Sequence, residues 1–119
     1  MDSNLKKITD DGISWLINSG IQSKNNDNYG GYYAWYDEKK KNYSYLYSEI
    51  TGYLITFHCF IFSLKKNKKN LIAAEAAAMW LINKAQLSFG GFKCLELAVP
   101  CNFYILTYRK GAPWFYYRD

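Results

Sequence analysis

The chain lacks any apolar run long enough to cross a membrane. Its longest, residues 53–64, is interrupted by Thr56, His58 and Ser63, and a span needs roughly 20 predominantly apolar residues. A buried helix is expected there instead. The N-terminus does not read as a secretory leader, because polar and apolar residues alternate from Met1 to Asp11. Cysteine is scarce. Cys59, Cys94 and Cys101 cannot form an even disulfide framework, and the last two stand apart from any histidine or second cysteine pair that would complete a zinc site. Cys59 lies inside the apolar run and reads as a small core hydrophobe. A reduced, cytoplasmic setting is the simplest account of this cysteine usage. No metal and no cofactor are expected.

Two further absences narrow the chemistry. The glycine pairs Gly30-Gly31 and Gly90-Gly91 are not followed by Lys-Ser or Lys-Thr, and neither follows a strand pattern, so they are not phosphate loops. The net charge of +5 comes largely from Lys39-Lys40-Lys41 and from the lysines of residues 65–69. Each cluster sits where a loop is expected, and no basic stripe with interleaved aromatics is present. The clusters therefore read as solvated loops, with no nucleic-acid partner expected.

Apolar and aromatic residues are abundant. Half of the 119 residues are apolar and 19% are aromatic, which excludes disorder for most of the chain. The 12 tyrosines bring large rings with polar tips, suited to pocket walls and half-wet surfaces.

The most informative pattern is an internal repeat. One copy reads Trp15-Leu16-Ile17-Asn18, then Gln22, then Tyr29-Gly30-Gly31-Tyr32. The other reads Trp80-Leu81-Ile82-Asn83, then Gln86, then Phe89-Gly90-Gly91-Phe92. The two tryptophans stand about 65 positions apart, room for two helices and their loops. Each repeat is expected to be a helical hairpin that must stack on a neighbour to bury its face.

Helices are expected over about residues 4–21, 48–64 and 70–86. In the first, Leu5, Ile8, Gly12, Trp15 and Leu16 share one stripe at helical spacing. In the second, Ile50, Tyr53, Leu54, Phe57, Phe60, Ile61 and Leu64 leave nearly every face apolar, which predicts an inner helix with neighbours on several sides. Ser48 is its expected N-cap, with Thr51 at the capping-box position. In the third, Asn70 is the expected N-cap, and Leu71, Ala74, Ala78, Leu81, Ile82 and Ala85 form the buried stripe. Its alanines favour helix and leave room for close helix–helix approach. Between the first two helices runs a long connection rich in Gly, Tyr, Trp and Asn. It reads either as a functional loop or as a poorly ordered insertion. Residues 1–93 thus read as two helical hairpins and residues 94–119 as an irregular tail. Within the tail, Leu95, Leu97 and Val99 alternate like a short strand that Pro100 breaks.

The stretch Tyr47-Ser48-Glu49-Ile50-Thr51-Gly52-Tyr53-Leu54-Ile55 resembles the opening of an inner helix in α/α-toroid proteins of polysaccharide gene clusters. The Trp80-Leu81, Gln86 and Gly90-Gly91-Phe92 order is similar to that of the wider superfamily, which holds squalene cyclases and protein prenyltransferases. The six-hairpin glycosidases and epimerases are similar in architecture. The resemblance covers about residues 10–93. It implies an all-α fold of antiparallel helical hairpins forming part of an incomplete toroid, since a ring of this kind needs about six hairpins and this chain has room for about two. The aspartate-rich acid motif of squalene cyclases and the zinc ligands of prenyltransferases are absent from the sequence.

Under this resemblance, Glu49 is the candidate catalytic residue. In toroids the N-termini of inner helices tend to face the central cavity. A carboxylate there could act as general acid or base on a sugar, with apolar neighbours raising its pKa. It could equally bind substrate, or pair with the helix dipole and free backbone N–H groups. Trp35, Tyr36, Tyr47 and Tyr53 are the candidate substrate-binding residues. Flat aromatic faces suit the apolar faces of pyranoses. Tyr32, Tyr33, Trp35 and Tyr36 could form such a wall, or fold back to plug the core. No second carboxylate pairs clearly with Glu49, so a two-carboxylate glycosidase mechanism cannot be built. His58, mid-helix among Phe and Cys, reads as a core histidine before a catalytic one.

Three function classes remain open. The first is a fragment of a carbohydrate-processing toroid, an epimerase, lyase or hydrolase acting on a glycan or small-molecule substrate and inactive alone. The second is a terpenoid-cyclase or prenyltransferase-like fragment. The third is a non-enzymatic remnant or interaction module. In each case the uncovered helix faces predict self-association of the isolated chain.

Overall fold

The computed structural model describes residues 2–96. Three helices dominate it. The first, α1, spans Ser3–Asn18, with the Asp2 side chain accepting from the Asn4 amide at its start. Lys6 with Asp10 and Lys7 with Asp11 form exposed i,i+4 ion pairs along it. The connection that follows carries two very short strands, β1 (Tyr36–Asp37) and β2 (Asn42–Tyr43), paired antiparallel. Lys39, Lys40 and Lys41 form the exposed turn of this hairpin, where the Asp37 carboxylate accepts from the amides of Lys39 and Lys40. A third strand, β3 (Leu46–Tyr47), leads straight into α2 (Ser48–Lys65). A tight turn, with Lys66 left-handed at φ 56°, leads to α3 (Lys68–Trp80). One π-helical turn, Leu81–Ala85, extends α3, and the last described strand is β4 (Leu95–Glu96). β4 pairs antiparallel with β3, and Tyr33 bridges Leu46.

The fold is mostly helical but not purely all-α, because the connecting loops fold into two small antiparallel sheets. The cause lies in the loops' own backbones. At residues 33–47 and 92–96 their N–H and C=O groups pair in short ladders. No helix among the described residues is long and apolar enough to cross a membrane. Of the expected tail strand, Leu95 lies in β4, while Leu97, Val99 and Pro100 lie outside the described residues.

α2 and α3 form the central helix pair. Ala77 is fully buried in a cluster with Ile21 and Tyr32, against which Ile50, Leu54 and Ile55 of α2 pack. At the other end of the pair, His58 meets Asn70. The alanines of α3 work as expected: Ala73, Ala74, Ala76 and Ala77 are buried and allow backbone to come close. The expected stripe is rotated, however. Leu71 and Ile82 are exposed, while Asn70, Ala76, Ala77 and Trp80 turn inward. On α1 the shift is similar. Leu5, Ile8 and Trp15 are exposed, and Ile13 and Leu16 face the core. Both helices carry apolar residues on more than one side, and the neighbours actually present select which side is covered.

The caps also differ from expectation. α2 begins after Tyr47 with no side-chain cap. The Ser48 hydroxyl donates instead to the Lys93 carbonyl, and the Thr51 hydroxyl donates to the Tyr47 carbonyl at 2.8 Å while accepting from the Tyr32 amide at 3.0 Å. Asn67, not Asn70, caps α3. Asn70 is buried and serves a polar cluster: its Oδ1 lies 2.9 Å from His58 Nδ1, and His58 Nε2 lies 2.5 Å from the Tyr32 hydroxyl. With Asn70 Oδ1 accepting, His58 carries its proton on Nδ1 and accepts from Tyr32 on Nε2. This fully buried cluster ties the first loop to both helices of the central pair. His58 is thus a core histidine in this fold. Cys59, one residue on, is exposed rather than a core residue.

The internal repeat is structural. Bridges join Gln22 to Tyr32 and Gln86 to Phe92. The Ser23 amide donates to the Gly31 carbonyl at 2.8 Å, as Leu87 donates to Gly91 at 2.7 Å. The Gly30 amide donates to Ser23 at 3.0 Å, as Gly90 donates to Leu87 at 2.9 Å. The Tyr33 amide donates to Ile21 at 2.9 Å, as Lys93 donates to Ala85 at 2.8 Å. Gly30 and Gly90 share a left-handed backbone, at φ 101° and 96°. The shared Gln, glycine-pair and aromatic pattern therefore encodes one turn, built twice.

Candidate functional site

β3 runs directly into α2, so Tyr47, Ser48 and Glu49 sit where a strand ends and a helix begins. Glu49 lies in the first turn of α2 and is exposed. The Tyr47 hydroxyl donates to its Oε2 at 2.9 Å, and the Tyr53 hydroxyl, one helical turn on, donates to its Oε1 at 3.2 Å. The carboxylate is thus held between two phenols rather than wrapped in apolar side chains. Burial and the bond to Glu49 push the Tyr47 phenol well up. The bond to Glu49 raises that of Tyr53. Both hydroxyls keep their protons and stay donors to the carboxylate.

The cleft beside Glu49 has a volume of about 290 Å³. Tyr47 and Glu49 form one wall, and Leu81, Phe92, Lys93 and Cys94 of the second repeat form the other. The two sides are stitched together by the Ser48 amide donating to the Cys94 carbonyl at 2.9 Å. A row of edge-to-face rings leads away from the cleft. Tyr47 meets Tyr45 with centroids 5.8 Å apart, and Tyr45 meets Trp35 at 5.2 Å. Trp35 is exposed.

Of the residues singled out from sequence, the structure brings Tyr47, Glu49 and Tyr53 into direct contact and reaches Trp35 through Tyr45. Tyr36 is elsewhere. It packs edge-on against Tyr43 at 5.0 Å and lines a separate cleft with Trp15, Ser19 and Glu38. Tyr32 and Tyr33 turn inward, Tyr32 as a fully buried core residue and Tyr33 stacked on Tyr43 at 4.9 Å. The expected aromatic loop therefore divides: part plugs the core, and part is exposed. Tyr45, Lys93 and Cys94 were not foreseen. Only the tyrosine-rich run of residues 43–47 hinted at Tyr45. Lys93 and Cys94 reach the cleft through long-range pairing that no local pattern carries.

Chemically, the site offers one carboxylate acceptor, two phenol donors and a ring platform. No second carboxylate lines the cleft among the described residues, so in-line attack across a glycosidic bond by a carboxylate pair has no basis there. No group of three or more His, Cys, Asp or Glu side chains that could hold a metal occurs among the described residues.

Searches of protein-family models, curated proteins and solved structures returned no match to this chain.

Proposed function

We propose that this chain is part of an α/α toroid that handles carbohydrate in polysaccharide metabolism, with the cleft at Glu49 as its sugar-contacting end. The observation that carries this reading is the Glu49 carboxylate held by Tyr47 and Tyr53 beside a ring row that ends in the exposed Trp35. An anionic acceptor next to flat apolar faces suits a pyranose, whose hydroxyls ring its edge and whose C–H groups line its face. The resemblance of residues 47–55 to the opening of a toroid inner helix supports the same reading. In it, Glu49 accepts from sugar hydroxyls, and the chain alone binds without turnover. An epimerase, lyase or hydrolase reaction belongs to a complete toroid that brings further groups to the cleft.

A panel of neutral and uronate-containing oligosaccharides, titrated against the full chain and read by tryptophan emission and amide chemical shifts, tests this. Binding should perturb residues 47–53 and Trp35. Trp35→Ala should weaken it by about 1 kcal/mol, and Glu49→Gln by about 1–2 kcal/mol. Binding indifferent to both substitutions, or perturbation confined to other surfaces, would remove the carbohydrate reading.

A second reading, a non-enzymatic interaction module, is favoured by a separate observation. Tyr53, Phe60 and Leu64 leave one face of α2 exposed, and Ile8 and Trp15 do the same on α1.

A further inference from the structure

The second lysine cluster of the sequence, residues 65–69, plays no part in the cleft at Glu49. It frames a separate cleft of about 250 Å³ where the turn between α2 and α3 meets α1. From α1 come Asp10, Ser14 and Asn18. From the end of α2 and the start of α3 come Lys65, Asn67, Lys69 and Asn70. The space is that of several waters, each of which takes about 30 Å³ in the liquid.

Asn70 is the unusual member. It lines the cleft and yet is 1% exposed. Its backbone amide donates to the Asn67 carbonyl at 3.0 Å, and its Oδ1 accepts from His58 Nδ1 at 2.9 Å. Its Nδ2 is buried and has no hydrogen-bond partner. A buried donor left unpaired is costly, and folded chains leave few of them.

The neighbouring groups are also donors and cations. Lys69 is exposed and makes no ion pair among the described residues. The Ser14 hydroxyl accepts from Asn18 Nδ2 at 3.1 Å, which leaves its own proton to give. Asn67 Oδ1 takes the Lys69 amide at 3.0 Å, so the first amides of α3 are partly spent, but the helix dipole still favours negative charge at this end. The cleft carries two ammonium groups against one carboxylate, and the Asp10 carboxylate is already divided between Lys65 and Lys6, the latter at 2.7 Å.

We propose that this cleft binds a phosphate group, whose oxygens accept from Asn70 Nδ2, Lys69 and the Ser14 hydroxyl, with Lys65 shared between it and Asp10. A phosphate offers more acceptor oxygens than a carboxylate does, and so meets donors that arrive from two sides at once. Free phosphate and a phosphate carried on a sugar share this chemistry. The site stands apart from Glu49 and does not rest on the carbohydrate reading.

Titration of the full chain with inorganic phosphate tests this, with sodium chloride holding the ionic strength constant. The readout is the shift of the Asn70 side-chain amide, and circular dichroism confirms folding. Saturable shifts with a Kd of about 1 mM are expected. Lys69→Gln removes an exposed charge and should weaken binding about tenfold. Asp10→Asn removes the competing carboxylate and should tighten binding about threefold, which a purely structural role for Asp10 would not produce. A parallel titration with a hexose 1-phosphate separates the two sources. Tighter binding than inorganic phosphate assigns the site to a sugar-borne phosphate, and equal or weaker binding assigns it to the free ion. An Asn70 amide that shows no saturable shift at about 50 mM phosphate overturns the inference. So does a shift matched by sodium chloride alone, or binding unmoved by both variants. A nuclear Overhauser contact from that amide to water, unchanged by phosphate, would overturn it too, because water would then be the occupant.

Discussion

The two glycine-pair turns carry the same hydrogen bonds, yet one is core and the other is surface. Around residues 22–32, Gln22, Gly30, Gly31 and Tyr32 are buried under α3 and α2. Around residues 86–92, Gln86, Phe89 and Gly90 are exposed. The turn geometry therefore comes from local sequence, and burial comes from whatever helix arrives next. This is the behaviour of repeat proteins, where each unit is completed by its neighbour. The identical Trp-Leu-Ile-Asn endings show it again: Trp80 is sealed by the first turn, whereas Trp15 faces solvent.

Truncating each tryptophan in turn probes this difference most strongly. Trp80→Ala should cost about 4 kcal/mol, because it leaves a cavity between α3, Gly31 and Leu46. Trp15→Ala, at concentrations where the chain is monomeric, should cost about 1 kcal/mol or less. Urea unfolding midpoints of the two variants check this, and equal costs would mean that the two repeats are equally covered.

Glycine substitution repeats the contrast at a smaller scale. Gly30→Ala combines a left-handed backbone with a clash against the Ala76 carbonyl, and should lose about 3 kcal/mol. Gly90→Ala shares the backbone strain but meets no described atom within 4 Å, and should lose about 1 kcal/mol. The difference between the two losses isolates the contribution of docking on α3.

A weaker effect is a pH dependence confined to the first region. Tyr32 bonds to His58, whereas its counterpart Phe92 has no hydroxyl to offer. Burial pushes the His58 pKa below its ordinary value near 6.5, with the bond to Asn70 opposing it. The unfolded chain then binds the proton more readily than the folded one. Stability is full above about pH 6.5 and falls as the pH drops below it toward the folded-state value. Melting temperatures between pH 8 and pH 5 should show this fall, and His58→Gln should flatten it. A wild-type profile that is flat over this range, or one that rises on acidification, would rule out His58 as a buried neutral ring.

Much of this fold was legible because its signals are local. Helical spacing marked all three helices, and the Gln–Gly-Gly pattern marked both turns. The Glu49–Tyr53 contact follows from i,i+4 spacing on α2. What was not legible depends on distant chain. The side of α1 that turns inward, the small sheets formed with residues 33 and 95, and the far wall of the cleft at Lys93 and Cys94 all come from segments remote in sequence. The caps misled for a related reason. Ser48 and Asn70 are good capping residues, but the Lys93 carbonyl and the His58 ring offered them tertiary partners, and Tyr47 and Asn67 took the terminal positions.

One turn, built twice, is docked on α3 in the first copy, whereas in the second Gln86 is exposed and Gly90 meets no described atom within 4 Å. Amide hydrogen exchange on the dilute, monomeric chain measures this residue by residue, because the matched amides donate equivalent bonds. Ser23, Gly30 and Tyr33 should exchange near the rate of the α2–α3 core, and Leu87, Gly90 and Lys93 at least about tenfold faster. Equal protection of the two sets, or slower exchange in the second, would refute the asymmetry between them.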